Sequence, residues 1–112
     1  MVQYSHRLDS TFAALADPTR RGILQMLGRG DASISDLAAR FDVTLTGIKK
    51  HVAILERSSL VTTRKLGRVR TCKLGPRGLD AEAAWIAGYG QMLEARLNRL
   101  EDFLERTKGT AT

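Results

Sequence analysis

Between Thr44 and Arg77 the chain places nine basic side chains, Lys49, Lys50, Arg57, Arg64, Lys65, Arg68, Arg70, Lys73 and Arg77, against a single acid, Glu56. Residues 1–43 hold five basic and five acidic groups, and residues 78–112 hold four and six. One third of the chain therefore carries more than the whole net charge of +6. A cationic block this concentrated suits a polyanion, because neutralising phosphates releases condensed counterions and drives binding before any base is read. The plain alternative is a solvated basic face. Groups for covalent or metal chemistry are scarce: His6, His51 and Cys72 are the only histidines and cysteine. A soft or borderline metal site would lack its ligands. There is no Gly-rich phosphate loop and no Ser/His/Asp set at suggestive spacing, so an enzyme is not expected, nor any cofactor.

The segment DVTLTGIKKHVAIL, residues 42–55, shows how the charge is presented. Thr44 can cap a helix whose back is Ile48, Val52 and Leu55 and whose front is Thr46, Lys49 and Lys50, with His51 at the edge. Before it, SDLAARF reads as a helix capped by Ser35, with Leu37, Ala38 and Phe41 inward. Two helices joined by the tight turn DVT, the second with a polar front, form the pattern of a helix-turn-helix over residues 35–57. Gly47 costs about 1 kcal/mol against alanine inside a helix. Close packing of the two helices is the expected compensation.

The remaining elements support this pair. LDSTFAALA, residues 8–16, predicts a first helix with Phe12, Leu15 and Ala16 inward. Asp17-Pro18 ends it and starts the next, since proline disfavours helical geometry in the residue before it yet suits the first helical position. That second helix buries Ile23, Leu24 and Leu27. LVTTRK and VRTCKL predict two strands within residues 61–74, joined at Leu66-Gly67-Arg68, where Gly67 supplies a positive φ. The basic residues at the hairpin either protect a strand edge or form a DNA-contacting wing. A last helix, residues 80–106, carries Trp85, Ile86, Tyr89, Met92, Leu93, Leu97, Leu100, Phe103 and Leu104 as a broad stripe. A small domain has little core to cover about seven turns of such a helix, so part of the stripe is expected to meet another chain.

A length of 112 residues fits one domain, 1–112. No run approaches a membrane span, the start MVQYSHRLDS is too polar for a signal peptide, and one cysteine fits a reducing cytosol. A soluble cytoplasmic protein is expected, with only TKGTAT at the end reading as disordered.

The order helix, DPTRRGIL, SISDLAARFDVTLTGIKKHVAILERSSLV, RKLGRVRTCKL and long terminal helix resembles the ArsR/SmtB-type winged helix-turn-helix transcriptional regulators, over about residues 8–105. The resemblance implies a mainly α fold, α-α-α-α-β-β-α, and a dimeric repressor on an inverted-repeat operator. It also implies that the first and last helices form the dimer interface, which here would use Phe12, Trp85, Ile86, Tyr89, Leu93, Leu97, Leu100 and Leu104. Metal-sensing members carry Cys-x-Cys where this chain has Ser33-Ile34-Ser35, and others place ligands on a terminal helix that here lacks histidine. The resemblance therefore extends to DNA binding and dimerisation but not to metal sensing.

On this reading Thr44, Leu45, Thr46, Lys49, Lys50 and His51 present the recognition helix to the major groove of double-stranded DNA. Arg64, Lys65, Arg68 and Arg70 hold the wing on the backbone or in the minor groove. Leu45 either touches a thymine methyl or packs inside the turn. His51 is either a satisfied structural residue or a phosphate donor. Cys72 is either a small hydrophobe or a redox switch. Arg20 and Arg21 oppose the dipole of their own helix, and reach either a phosphate or an acid. The competing function is a winged-helix module that binds protein or RNA.

Overall fold

Helix α1 (Val2–Leu15) leads through a sharp corner into α2 (Pro18–Leu27). At the corner Asp17 is the N-cap, its carboxylate accepting the Arg20 amide at 3.0 Å, and Pro18 sits at the first helical position. The start of α2 is thus the one its sequence encodes. The computed structural model describes residues 2–110, and side chains over residues 6–108. It divides into two compact units, residues 1–78 and residues 79–112.

In the first unit, β1 (Ala32–Ser33) is followed by α3 (Ile34–Phe41), α4 (Leu45–Arg57), β2 (Val61–Leu66) and β3 (Val69–Leu74). The hairpin β2–β3 pairs Leu66 with Val69 across Gly67-Arg68, and Gly67 has φ +61. A positive φ at the first central residue is what a two-residue hairpin turn of this hand requires. The strand β1 was not expected: it adds Ala32 and Ser33 opposite Cys72 and Thr71, giving a three-stranded antiparallel sheet in the order β1-β3-β2. Two residues are too few to show a period of two, so only the pairing reveals it.

Ile23, Leu37, Ile48, Val52, Leu55, Val61 and Cys72 form the centre of the core, all at 1% exposure or less. Three local expectations need correction. Among the described side chains of α1, Thr11 and Ala14 are buried, with Phe12 and Leu15 half-buried and Ala16 exposed beyond the helix end. Thr11 tolerates burial because its hydroxyl donates to the Arg7 carbonyl one turn back. The cap of α3 is Ser33, not Ser35. Its hydroxyl accepts the Asp36 amide at 3.0 Å while the Asp36 carboxylate accepts the Ser33 amide at 3.4 Å. This reciprocal box needs a carboxylate three residues on, which Ser33 has and Ser35 lacks, and it puts Ile34 into the core.

Gly47, third, does not mark a helix–helix approach. A Cβ there would come within 2.7 Å of Val43 Cγ1, in the turn between α3 and α4, and 3.2 Å of Thr44 Oγ1. The close approach between helices is at Gly22 of α2, where a Cβ would lie 2.6 Å from the ring of Phe41 in α3.

The second unit is α5 (Asp80–Thr110), 31 residues long, or about 46 Å at 1.5 Å per residue. It continues past the expected end at 106, so residues 107–110 of TKGTAT are helical; the last two lie outside the described residues. The indole of Trp85 stacks on the ring of Tyr89, centroids 5.5 Å apart. The stripe from Trp85 to Leu104 is open, its large apolar members between 41% and 59% exposed.

Candidate nucleic-acid interface

A cleft of about 490 Å³ opens between the start of α3, the front of α4 and the hairpin. Ser33, Ile34 and Ser35 form one wall, Leu45 and Lys49 the second, and Lys65, Arg68, Val69 and Arg70 the third. Leu45 and Lys49 meet there because they are four residues apart on one helical face. Lys65 and Arg70 meet because they are register partners in the hairpin, so their side chains share a face of the sheet.

Two cations placed directly opposite on a ladder repel each other. No carboxylate lines the cleft, and among the described residues none pairs with Lys49, Lys65, Arg68 or Arg70. Four unneutralised cations around a concave surface focus a positive field into it, the arrangement a polyanion relieves. Leu45, half exposed, points its apolar surface into this cleft rather than packing inside the turn.

The structure separates the other sequence-assigned residues from that group. Arg64 is the register partner of Thr71 and therefore lies on the opposite sheet face. There it lines a hollow of about 230 Å³ with Asp31, Thr62 and Lys73. Thr44, the N-cap of α4, and Thr46 and Lys50 on the helix are exposed outside the cleft. Thr44 has a structural task as well, since its Oγ1 accepts the Gly47 amide at 3.0 Å. Sequence reasoning did not place Ser33 and Ser35 in the cleft, because their position depends on β1 pairing with β3.

His51 faces Arg20 instead. The Arg20 guanidinium donates from Nε to the Ala14 carbonyl at 2.8 Å and from Nη2 to the Ala13 carbonyl at 2.9 Å. Its Nη1 lies 3.2 Å from His51 Nδ1. Arg21 donates to the Leu15 carbonyl at 2.8 Å. Both arginines thus serve the C-terminus of α1, where cations are favoured, although they stand at the disfavoured start of α2. Asp17 lies 3.9 Å from His51 Nδ1. The Arg20 amide is the chief cause that holds its carboxyl below the ordinary value of 3.8; burial opposes it, and weaker charge effects, the Arg20 guanidinium among them, add to the lowering.

Cys72 is fully buried on β3, and burial pushes its thiol from 9.0 up to about 11, with Glu56 adding to the rise. A neutral, enclosed thiol is a poor nucleophile, which favours the small-hydrophobe reading. Among the described residues no three of His, Cys, Asp and Glu are grouped to hold a metal ion. No described helix is long and apolar enough to cross a membrane.

The helix-turn-helix with its flanking cationic hairpin has counterparts. A family model for a helix-turn-helix domain matches residues 15–64. The HTH-type transcriptional regulator Rv2034 of Mycobacterium tuberculosis is 32% identical over 95 residues, spanning 78% of this chain and 89% of that protein. A crystal structure of an ArsR family transcriptional regulator is 45% identical, with a TM-score of 0.74 and coverage of 84% of this chain and 97% of that one.

The chain belongs to the ArsR/SmtB family of transcriptional regulators.

As an ArsR/SmtB regulator it is a DNA-binding protein with a winged helix-turn-helix, not an enzyme. The transcriptional repressor SdpR of Bacillus subtilis is a more distant relative, 28% identical over 73% of this chain and 91% of that protein. The cationic cleft lies between α4, the second helix of the helix-turn-helix, and the hairpin β2–β3.

Proposed function

We propose that this chain is a homodimeric repressor that binds an inverted-repeat operator in double-stranded DNA, each subunit reading one half-site. The observation that carries the reading is the cleft joining Leu45 and Lys49 of α4 to Lys65, Arg68 and Arg70 of the wing. Lys49, with Lys50 and Thr46 beside it, reaches guanine O6 and N7 or other base edges in the major groove, and Leu45 meets thymine methyl groups. Thr44 caps the helix and holds its remaining hydroxyl capacity for a phosphate. Lys65, Arg68 and Arg70 take backbone or minor-groove positions, while Arg64, on the far sheet face, serves a phosphate further along the duplex.

Dimerisation is supported by the exposed stripe of α5, because a soluble chain rarely leaves so many large apolar residues uncovered. Ile86, Tyr89, Leu93, Leu97, Leu100 and Leu104 follow one another at steps of three or four along one seam, and Trp85 and, from α1, Phe12 also meet the partner subunit. Two subunits related by a two-fold axis impose that symmetry on the operator. Residues 1–112 act as one DNA-binding module in the cytoplasm, with residues 8–16 and 80–106 as the dimerisation helices.

Repression follows the named activity of the SdpR relative. Regulation proceeds without a metal, since Ser33 spends its hydroxyl on the α3 cap and hydroxyls are poor ligands for soft ions. A cleft bounded by lysine and arginine, with no aromatic side chain, suits duplex phosphate better than stacked single-stranded bases.

Selection of bound fragments from sheared genomic DNA tests the reading. The expected result is enrichment of fragments sharing an inverted repeat, bound more tightly than single strands of the same sequence. Equal retention of single and double strands would contradict it.

A further inference from the structure

The contact between Arg20 and His51 joins residues 31 positions apart and three elements, α1, α2 and α4. Arg20 belongs to α2, and two of its guanidinium nitrogens are committed to the carbonyls of Ala13 and Ala14 at the end of α1. The third reaches His51 Nδ1 in the recognition helix. A guanidinium is planar and has no acceptor atom, so fixing two of its nitrogens fixes the direction of the third. For that nitrogen to donate, Nδ1 of His51 must be the bare, accepting nitrogen, and the ring proton must sit on Nε2.

The back of α4, formed by Ile48, Val52 and Leu55, is apolar and buried. Apolar packing decides which face of a helix is buried but is non-directional, and fixes rotation about the helix axis less finely than a directional contact does. A hydrogen bond is directional. His51 follows Lys49 and Lys50 by two residues and one, so an angular restraint at His51 sets where those two ammoniums point. Asp17 anchors the Arg20 end of the restraint, its carboxylate accepting the Arg20 backbone amide at 3.0 Å.

We propose that Arg20 is a positioning residue of the DNA interface, which through His51 Nδ1 sets the rotation of the recognition helix against the α1–α2 corner. This rests on the operator-binding reading above. Arg20 touches no DNA; it determines the geometry of the groups that do. A lysine cannot replace it, because one ammonium cannot reach three acceptors on two elements in a fixed fork.

The test uses the full chain and a duplex obtained by the fragment selection. Arg20→Lys and His51→Leu are each expected to weaken operator binding about tenfold or more, and the double variant no further, because both remove one contact. His51→Asn, whose carboxamide oxygen takes the place of Nδ1, is expected to recover most of the loss seen with leucine. His51→Leu is expected to keep the urea midpoint near that of the parent, separating positioning from stability. Nitrogen NMR at mildly alkaline pH is expected to find the His51 proton on Nε2.

Three results would overturn the proposal: His51→Leu binding as tightly as the parent, losses that multiply in the double variant, or a proton on Nδ1. Multiplying losses without rescue by asparagine would mean that His51 contacts DNA by itself. Failure of the parent to bind any duplex would sink the operator reading. The NMR tautomer would still judge the Arg20–His51 contact independently.

Discussion

The hydroxyl of Thr44 accepts the Gly47 amide at 3.0 Å, and the space beside that glycine is filled by Val43 and Thr44 themselves. The turn and the first turn of the recognition helix are therefore one packed unit. Thr44→Ala is expected to destabilise the protein by about 1 kcal/mol, with Thr44→Ser retaining most of the cap. Gly47→Ala is expected to destabilise as well, by about 1–3 kcal/mol, although alanine is the better helix former, because Val43 must move. Urea unfolding measures all three.

Asp17 gives the protein part of its acid sensitivity. Its folded carboxyl ionises below the ordinary value of 3.8, first because it accepts the Arg20 amide. The unfolded chain therefore takes up this proton before the folded one does. The contribution is complete above the unfolded value and is lost as pH falls through the folded one. Asp17→Asn keeps an N-cap oxygen and removes the titration. It is expected to lower stability at neutral pH and to show a shallower loss between neutral and acid pH, read as urea midpoints across that range.

Cys72 works in the alkaline direction. Burial holds the folded thiol at about 11 against 9.0, so between those values the unfolded chain releases a proton that the native protein retains. Stability is expected to fall as pH rises through that window, and Cys72→Ala to remove that fall while lowering stability throughout by leaving a small cavity. With a thiol reagent at neutral pH, native protein is expected to react only at the rate of its opening, and urea-unfolded protein at once.

The stripe of α5 makes a separate prediction about assembly. Leu93→Glu with Leu97→Glu places two charges in the proposed seam, where unpaired burial is costly. Sedimentation is expected to show a monomer with normal helix content and operator binding weakened by at least a hundredfold. An intact dimer in this variant would contradict the terminal-helix interface.

What the sequence made legible was whatever local chemistry dictates. Asp17-Pro18 gave the start of α2, Thr44 the start of α4 and Gly67 the hairpin turn, and the spacing of Ile48, Val52 and Leu55 gave the buried face. The excess of lysine and arginine after Thr44 pointed to the third of the chain that brings Lys49, Lys65, Arg68 and Arg70 to one cleft. The failures share a cause in pairings between distant residues. The strand β1 exists through Cys72 and Thr71, nearly forty positions away in sequence. Arg20 and Arg21 looked misplaced at the start of α2 until the end of α1 was seen beside them. Arg64 read as one of a cationic set, although strand alternation turns it to the other sheet face from Lys65 and Arg70. That last separation was available from the period of two alone.

The most direct measurement is operator affinity as a function of salt for the parent protein and for Lys49→Ala with Arg68→Ala, one residue from each side of the cleft. The account predicts at least a tenfold weaker complex. It also predicts a slope of log K against log salt smaller by about 1 for each of the two residues that meets a phosphate. Affinity and slope both equal to those of the parent would contradict it.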